Sequence, residues 1–183
     1  MGAKKRLKVA AYITRLLTDF PGISPTNCKS HSRATGRYNC AAYAGGDTKR
    51  RWELWFHWHS DAVRSEHWTA LESQYYHECG YVRCDNGTLE DGIEKIAIYA
   101  DSRDEWTHAA HQRDDGWWES KLGDDIDILH STVECLESLL YGVVVQYLKR
   151  ERPANAKKAQ KKQKDTARIL SVERIRQGNE ETG

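Results

Sequence analysis

The chain has 183 residues, enough for one domain with a real hydrophobic core. Hydrophobic residues make up 39% and charged residues 30%, which excludes the disordered and membrane-embedded classes, and no apolar run approaches the length of a spanning helix. Net charge is +1, but residues 149–183 carry eleven Lys/Arg against five Asp/Glu, while residues 1–148 carry seventeen against twenty-two. The sequence therefore reads as a single globular domain with an acidic body, residues 1–152, followed by a basic tail, residues 153–183, partly disordered or helical.

The N-terminus starts basic and turns apolar, like a signal peptide, but Arg15 and Asp19 interrupt it and no small-residue cleavage site follows. Leu7, Ala10, Ile13, Leu17 and Phe20 fall on one stripe of an amphipathic helix, and a cytoplasmic location is expected. Pro21-Gly22 and the polar stretch to Arg37 form a connection. Residues 40–44 (CAAYA) make a short helix, capped by Asn39 and stopped at Gly45-Gly46. Trp52, Trp55 and Trp58 follow in a stretch with no assigned element. Trp68, Leu71 and Tyr75 predict a helix over 66–78 with Gly80 as its C-cap.

Residues 81–84 read as a strand before an Asn86-Gly87 turn, and 93–100 (IEKIAIYA) as a core strand. Residues 107–112 and 117–122 flank Asp114-Asp115-Gly116 as a hairpin. Residues 126–150, with Leu129, Val133, Leu136, Leu140, Val144 and Tyr147 at helical spacing, predict a long helix ended by Pro153. The order gives an α+β fold: N-terminal helices, a small antiparallel sheet, a long C-terminal helix, then the tail.

Five cysteines, Cys28, Cys40, Cys79, Cys84 and Cys135, form no disulfide framework and are expected as free thiols. A cysteine nucleophile needs its thiolate, which a helix N-terminus and a nearby histidine favour. Cys40 opens a capped helix, and His108 lies on a later strand beside small Ala109 and Ala110. That pairing points to a Cys–His hydrolase, against the plainer reading of a structural cysteine and an ordinary strand histidine.

The residue orienting His108 depends on the hairpin. A two-residue loop puts His108 on one face with Glu119 and Lys121; a three-residue loop puts it with Ser120 and Leu122. Ser120 is favoured, with Glu119 and Lys121 as alternatives. The Cys40 N–H and the Asn39 side chain would serve an oxyanion, unless Asn39 is only a cap. His130 lines the cleft or caps locally. His57-x-His59 and His77-x-Cys79-x4-Cys84 fit no standard zinc spacing, and Gly45-Gly46 lacks the Lys-Ser/Thr of a phosphate loop. No metal and no cofactor is expected. The tryptophans read as core before they read as stacking platforms.

The segments 37–45 (RYNCAAYAG), 94–100 (EKIAIYA), 107–110 (THAA), 120–123 (SKLG), 127–130 (DILH) and Tyr141-Gly142 resemble, over about residues 37–150, an uncharacterised bacterial family with NCxAxAxG, EKIAxYA, THAA and WxSKLG motifs. Its layout is similar to that of papain-like cysteine hydrolases, cell-wall peptidases and amidases. The resemblance implies a papain-like fold in which Cys40 attacks an amide of a protein, peptide or other substrate and His108 moves the proton. The Trp-rich region lacks the prolines of the pattern, and the tail lies outside it. The competing expectation is a non-catalytic interaction module of the phage-conflict or toxin–immunity kind, whose basic tail binds nucleic acid or an acidic partner.

Overall fold

The computed structural model describes residues 15–53 and 67–153. The chain divides into two compact units, Met1–Arg150 and Glu151–Gly183, and all but three residues of the second lie outside the described residues. So do the basic tail, Trp55, Trp58, the His57-x-His59 pair and the first half of the expected N-terminal helix, of which residues 15–19 (α1) are helical.

The first unit is built on one seven-stranded sheet. Its strands are β1 (Cys28–Ser30), β2 (Val82–Cys84), β3 (Ile93–Ala100), β4 (Trp106–Gln112), β5 (Trp118–Lys121), β6 (Asp127–His130) and β7 (Val143–Glu151). Their order is β1-β6-β5-β4-β3-β7-β2, and β1–β6, β6–β5, β5–β4, β4–β3 and β7–β2 all pair antiparallel. Strands β3 to β6 form a meander, whereas β7 crosses over to lie beside β3 and separates it from β2. Two helices, α2 (Cys40–Ala44) and α3 (Trp68–Cys79), complete the described unit with a 3₁₀ turn at Val133–Leu136.

In β3 the alternation is buried on both sides. Ile96 and Ile98 point to the face covered by α2 and α3, here the helix face, with Ala41, Ala42, Trp52, Leu71, Tyr75, Tyr81 and Ala109. Ala97 and Tyr99 point to the opposite, loop face, with Phe20, Ile23, Ala110, Trp118, Ile128, Val133 and Leu136. A strand buried on both faces belongs at the centre of a sheet. Helix α2 is short and buried throughout, and its small side chains let its backbone lie close over β4.

The expected α+β fold with a papain-like layout, a small sheet and a long C-terminal helix is corrected here: strands dominate. Residues 126–150 form β6, the 3₁₀ turn and β7, and β7 runs to Glu151, so Pro153 ends no helix. Val143-Val144-Val145 is a β-branched run that loses side-chain freedom in a helix and packs well on a pleated surface. The helical spacing arose from a slip in alternation. Val145 and Leu148 join the helix-face cluster while Val144 and Tyr147 join the loop-face one, so strand β7 changes faces once between 145 and 147.

Gly142 also breaks any helix. Its φ is +69°, and a Cβ there would collide with the Ala100 carbonyl oxygen. Elsewhere local chemistry and structure agree. Asn39 caps α2 by accepting from the Ala42 N–H at 3.2 Å, and Gly80 ends α3 in the left-handed region at φ +73°. Among the described residues no helix is long and apolar enough to cross a membrane.

Candidate functional site

The β4–β5 hairpin decides which side chains can meet. Gln112 stands opposite Trp118, and the Arg113 N–H donates to the Trp117 carbonyl at 2.8 Å, leaving a three-residue loop, Asp114-Asp115-Gly116, with Gly116 at φ +87°. This parity sends His108 and Ser120 to the loop face, and Glu119 and Lys121 to the helix face.

On the loop face a hydrogen-bonded relay is sealed in the core. His108, Ser120 and His130 are each 0% exposed. The His130 Nδ1 lies 2.7 Å from the Thr132 carbonyl oxygen; a carbonyl only accepts, so Nδ1 carries the proton and Nε2 of the neutral ring accepts. Ser120 then donates to His130 Nε2 at 2.9 Å, and its oxygen accepts from His108 Nε2 at 2.9 Å. The His108 Nδ1 is left as a buried lone pair with no hydrogen-bond partner among the described residues. Tyr141 stacks on His108 with centroids 4.1 Å apart and planes 5° from parallel, and Tyr99 meets it edge-on at 5.3 Å. Burial, then the neighbouring His130, holds His108 well below the ordinary histidine value. Burial drives His130 down to about 4 against the Thr132 hydrogen bond.

On the helix face a second polar cluster reaches solvent. Glu119 is its hub. One carboxylate oxygen accepts from Arg113 Nη1 at 2.6 Å and faces His31 Nε2 at 3.6 Å. The other accepts from the Tyr43 hydroxyl at 3.2 Å and faces His111 Nε2 at 3.4 Å. Burial raises the Glu119 carboxyl, but the charges of His111, Arg113 and His31 outweigh it and hold the group below its ordinary value. Deeper in, Tyr38 donates to Asp127 at 2.6 Å; burial and that bond push its phenol up to about 12. The fully buried Lys121 donates to the Asp125 carbonyl and lies 3.9 Å from Asp127. Burial lowers its amine, which the aspartates only partly offset.

At the outer end of this face, on edge strand β1, the Lys29 ammonium sits 4.6 Å from the Trp117 ring centroid. Lys29 and His31 are exposed and Trp117 and Arg113 half-buried. The register explains the convergence: Lys29 lies opposite Leu129, Leu129 opposite Glu119, and Glu119 opposite His111, so one row of side chains crosses four strands.

Cys40 does not join His108. It opens α2 on the helix face, where Ala109 of β4 donates a backbone hydrogen bond toward its sulfur, while His108, one residue earlier on the same strand, projects through the opposite face. Burial raises the Cys40 thiol, outweighing the backbone hydrogen bonds, the reverse of an activated thiolate. Burial is also the first cause raising Cys28 (to about 11), Cys79 and Cys84. Asn39 ties two segments together: its oxygen takes the Ala42 and Trp52 N–H groups, and one N–H of its amide donates to the Trp52 carbonyl at 2.8 Å. It acts as a cap for α2 and a clamp on Trp52.

The seven expected site residues thus separate, with Cys40, Asn39, Glu119 and Lys121 on one face and His108, Ser120 and His130 on the other. Sequence reasoning passed over His111, His31 and Tyr43. Strand parity could have found His111, which shares its face with Ala109 and not with His108. No group of His, Cys, Asp and Glu side chains suited to a metal ion occurs among the described residues. No curated protein and no solved structure matches the chain. Residues 29–149 match the family described as a domain of unknown function (DUF7689), and because that match takes in more than half of the chain, the chain belongs to that family.

Proposed function

We propose that the domain is a recognition module for an acidic partner, with the β1 end of the helix face as its contact surface. The observation that carries the reading is the Lys29–Trp117 pair beside His31 and Arg113, cations and a flat ring brought together from separate strands at the exposed end of the sheet. Single-stranded nucleic acid is the partner class that uses both features, phosphates on the cations and a base on the indole. The basic composition of residues 149–183 adds long-range attraction. Glu119 and Asp115 hold the Arg113 guanidinium in place, so its fork is preorganised.

The division of Cys40 from His108 by the sheet, and the raised thiol, weigh against an amide hydrolase run by that pair. Anisotropy of a fluorescent oligothymidylate measures the interaction as salt is raised. The expected result is a salt-dependent affinity whose logarithmic slope falls by about 1 in Lys29→Glu, with weakening by about 1–3 kcal/mol in Trp117→Ala. Equal binding by both variants would remove this surface from the proposal. Preference for an acidic peptide over the oligonucleotide would reassign the partner. Fast iodoacetamide labelling of Cys40 near pH 6, slowed in His108→Ala, would instead restore the thiol chemistry.

A further inference from the structure

The exposed end of the helix face holds more than cations and a ring. His31 follows β1, its N–H donating to the Asp127 carbonyl at 2.8 Å, and shares a face with Lys29 two residues earlier. One Glu119 oxygen, Oε1, accepts from Arg113 Nη1 at 2.6 Å and faces His31 Nε2 at 3.6 Å. That shared oxygen keeps an imidazole and a guanidinium close enough to reach one phosphodiester group. The His31 side chain is 41% exposed and that of Glu119 10%, so the imidazole meets a ligand and the carboxylate stands behind it. His111, on the other Glu119 oxygen, is differently placed: its Nε2 turns to the carboxylate and its Nδ1 is enclosed.

The three exposed groups divide the chemistry between them. Glu119 favours the proton of a neutral His31 ring on Nε2, the nearer nitrogen, which leaves the Nδ1 lone pair as a base. Although burial raises the Glu119 carboxyl, the charges of His111, Arg113 and His31 hold it below its ordinary value, so it is an anion at neutral pH. Arg113 gives Nε to Asp115 and Nη1 to Glu119; a guanidinium carries five N–H donors, and the Nη2 pair remains for a phosphate oxygen. Lys29 adds a second positive charge from β1.

We propose that this surface cleaves single-stranded RNA by attack of a ribose 2′-hydroxyl on the adjacent phosphate, with His31 as the general base; the proposal rests on the recognition reading above. His31 Nδ1 takes the 2′-hydroxyl proton as the O2′–P bond forms. Lys29 and Arg113 stabilise the charge that develops on the phosphate oxygens. The P–O5′ bond then breaks with its electron pair, and the 5′-oxygen takes a proton from solvent water. The proton held by His31 returns to the hydroxide left behind. The products are a 2′,3′-cyclic phosphate and a 5′-hydroxyl, and because the nucleophile belongs to the substrate no co-reactant is consumed. Glu119 is a positioning residue, acting through His31.

The test is single-turnover cleavage of a fluorescent oligouridylate by saturating full-length protein, with anisotropy recording binding in the same samples. Oligothymidylate and 2′-O-methyl oligouridylate, which lack the nucleophile, serve as controls. Only the oligouridylate should be cut, and mass spectrometry should find cyclic-phosphate and 5′-hydroxyl ends. His31→Ala, purified in parallel, should lower the saturating rate by about 100-fold. Glu119→Gln, which keeps an acceptor for Arg113 and Tyr43, should lower that rate by about tenfold and move the half-saturating protein concentration by less than about twofold. Oligouridylate bound but left intact would overturn the cleavage proposal while leaving recognition standing. Cleavage of either control, or an undiminished rate in His31→Ala, would overturn it as well. Failure of all three oligonucleotides to bind would remove the recognition reading and this proposal together.

Discussion

The sealed relay predicts a specific dependence of stability on pH. His130 has a folded-state value of about 4, against about 6.5 for an unfolded histidine. Its folded value is depressed, so between these limits the unfolded chain binds more protons than the folded one, and stability falls as pH falls. The contribution is fully present above about pH 6.5 and lost on the way down to about 4. Integrated over that window it is about 3 kcal/mol; His108 shifts in the same direction and adds to it. Carboxylates with lowered values, such as Glu119, act mainly below the ordinary carboxyl range of about 4. The interval from about pH 6.5 to 5 therefore isolates the histidines. Urea unfolding across that interval should lower the midpoint at constant m-value. In His130→Gln the amide oxygen can still accept from Ser120, the variant should be weaker at neutral pH by about 1–3 kcal/mol, and its loss on acidification should be smaller than in the wild type. Identical acid sensitivity in the two proteins, or a His130 ring that titrates near the unfolded value by NMR, would refute the buried neutral relay.

Other outcomes follow from single residues. Gly142→Ala should cost more than about 4 kcal/mol, because both the positive φ and the Ala100 carbonyl oppose a Cβ, measurable as a lost or sharply lowered thermal transition. Asn39→Ala removes the α2 cap and two links to Trp52 and should cost about 2 kcal/mol by denaturant unfolding. Tyr38→Phe leaves the buried Asp127 carboxylate without its phenol donor and should cost about 1–3 kcal/mol; no change would mean that Lys121 alone compensates Asp127. Iodoacetamide should label Cys40 slowly at neutral pH and at the same rate in His108→Ala, since burial raises this thiol and no shared face links the two residues.

Much of the local structure was readable because short-range chemistry specifies it. Asn39 before CAAYA, Gly80 after a periodic run, and Asp114-Asp115-Gly116 between two apolar segments act through caps and turns that involve only a few neighbouring residues. Residues 93–100 alternate strongly enough to name a core strand. The hairpin left two registers open, and tertiary structure selected the three-residue loop; one residue of difference placed Ser120, and not Glu119 or Lys121, beside His108. The misread region, 126–150, shows the converse. Apolar residues three and four apart describe a helix face, but they also describe a strand that changes faces, and a β-branched run beside a tight glycine turn favours the strand once β3 offers an edge to pair with.

The sequence by itself determined where the chain turns, which thiols and imidazoles are available, and that charge divides between body and tail. Only the tertiary structure decided which of those groups share a face, because side-chain direction in a strand alternates every residue and depends on pairing far along the chain. One sheet sets Cys40 over Ala109 on one side and His108 among Tyr99, Ser120 and Tyr141 on the other. It also gathers Lys29, His31, Arg113 and Glu119, residues whose proximity depends on β1 pairing with a strand about a hundred positions later.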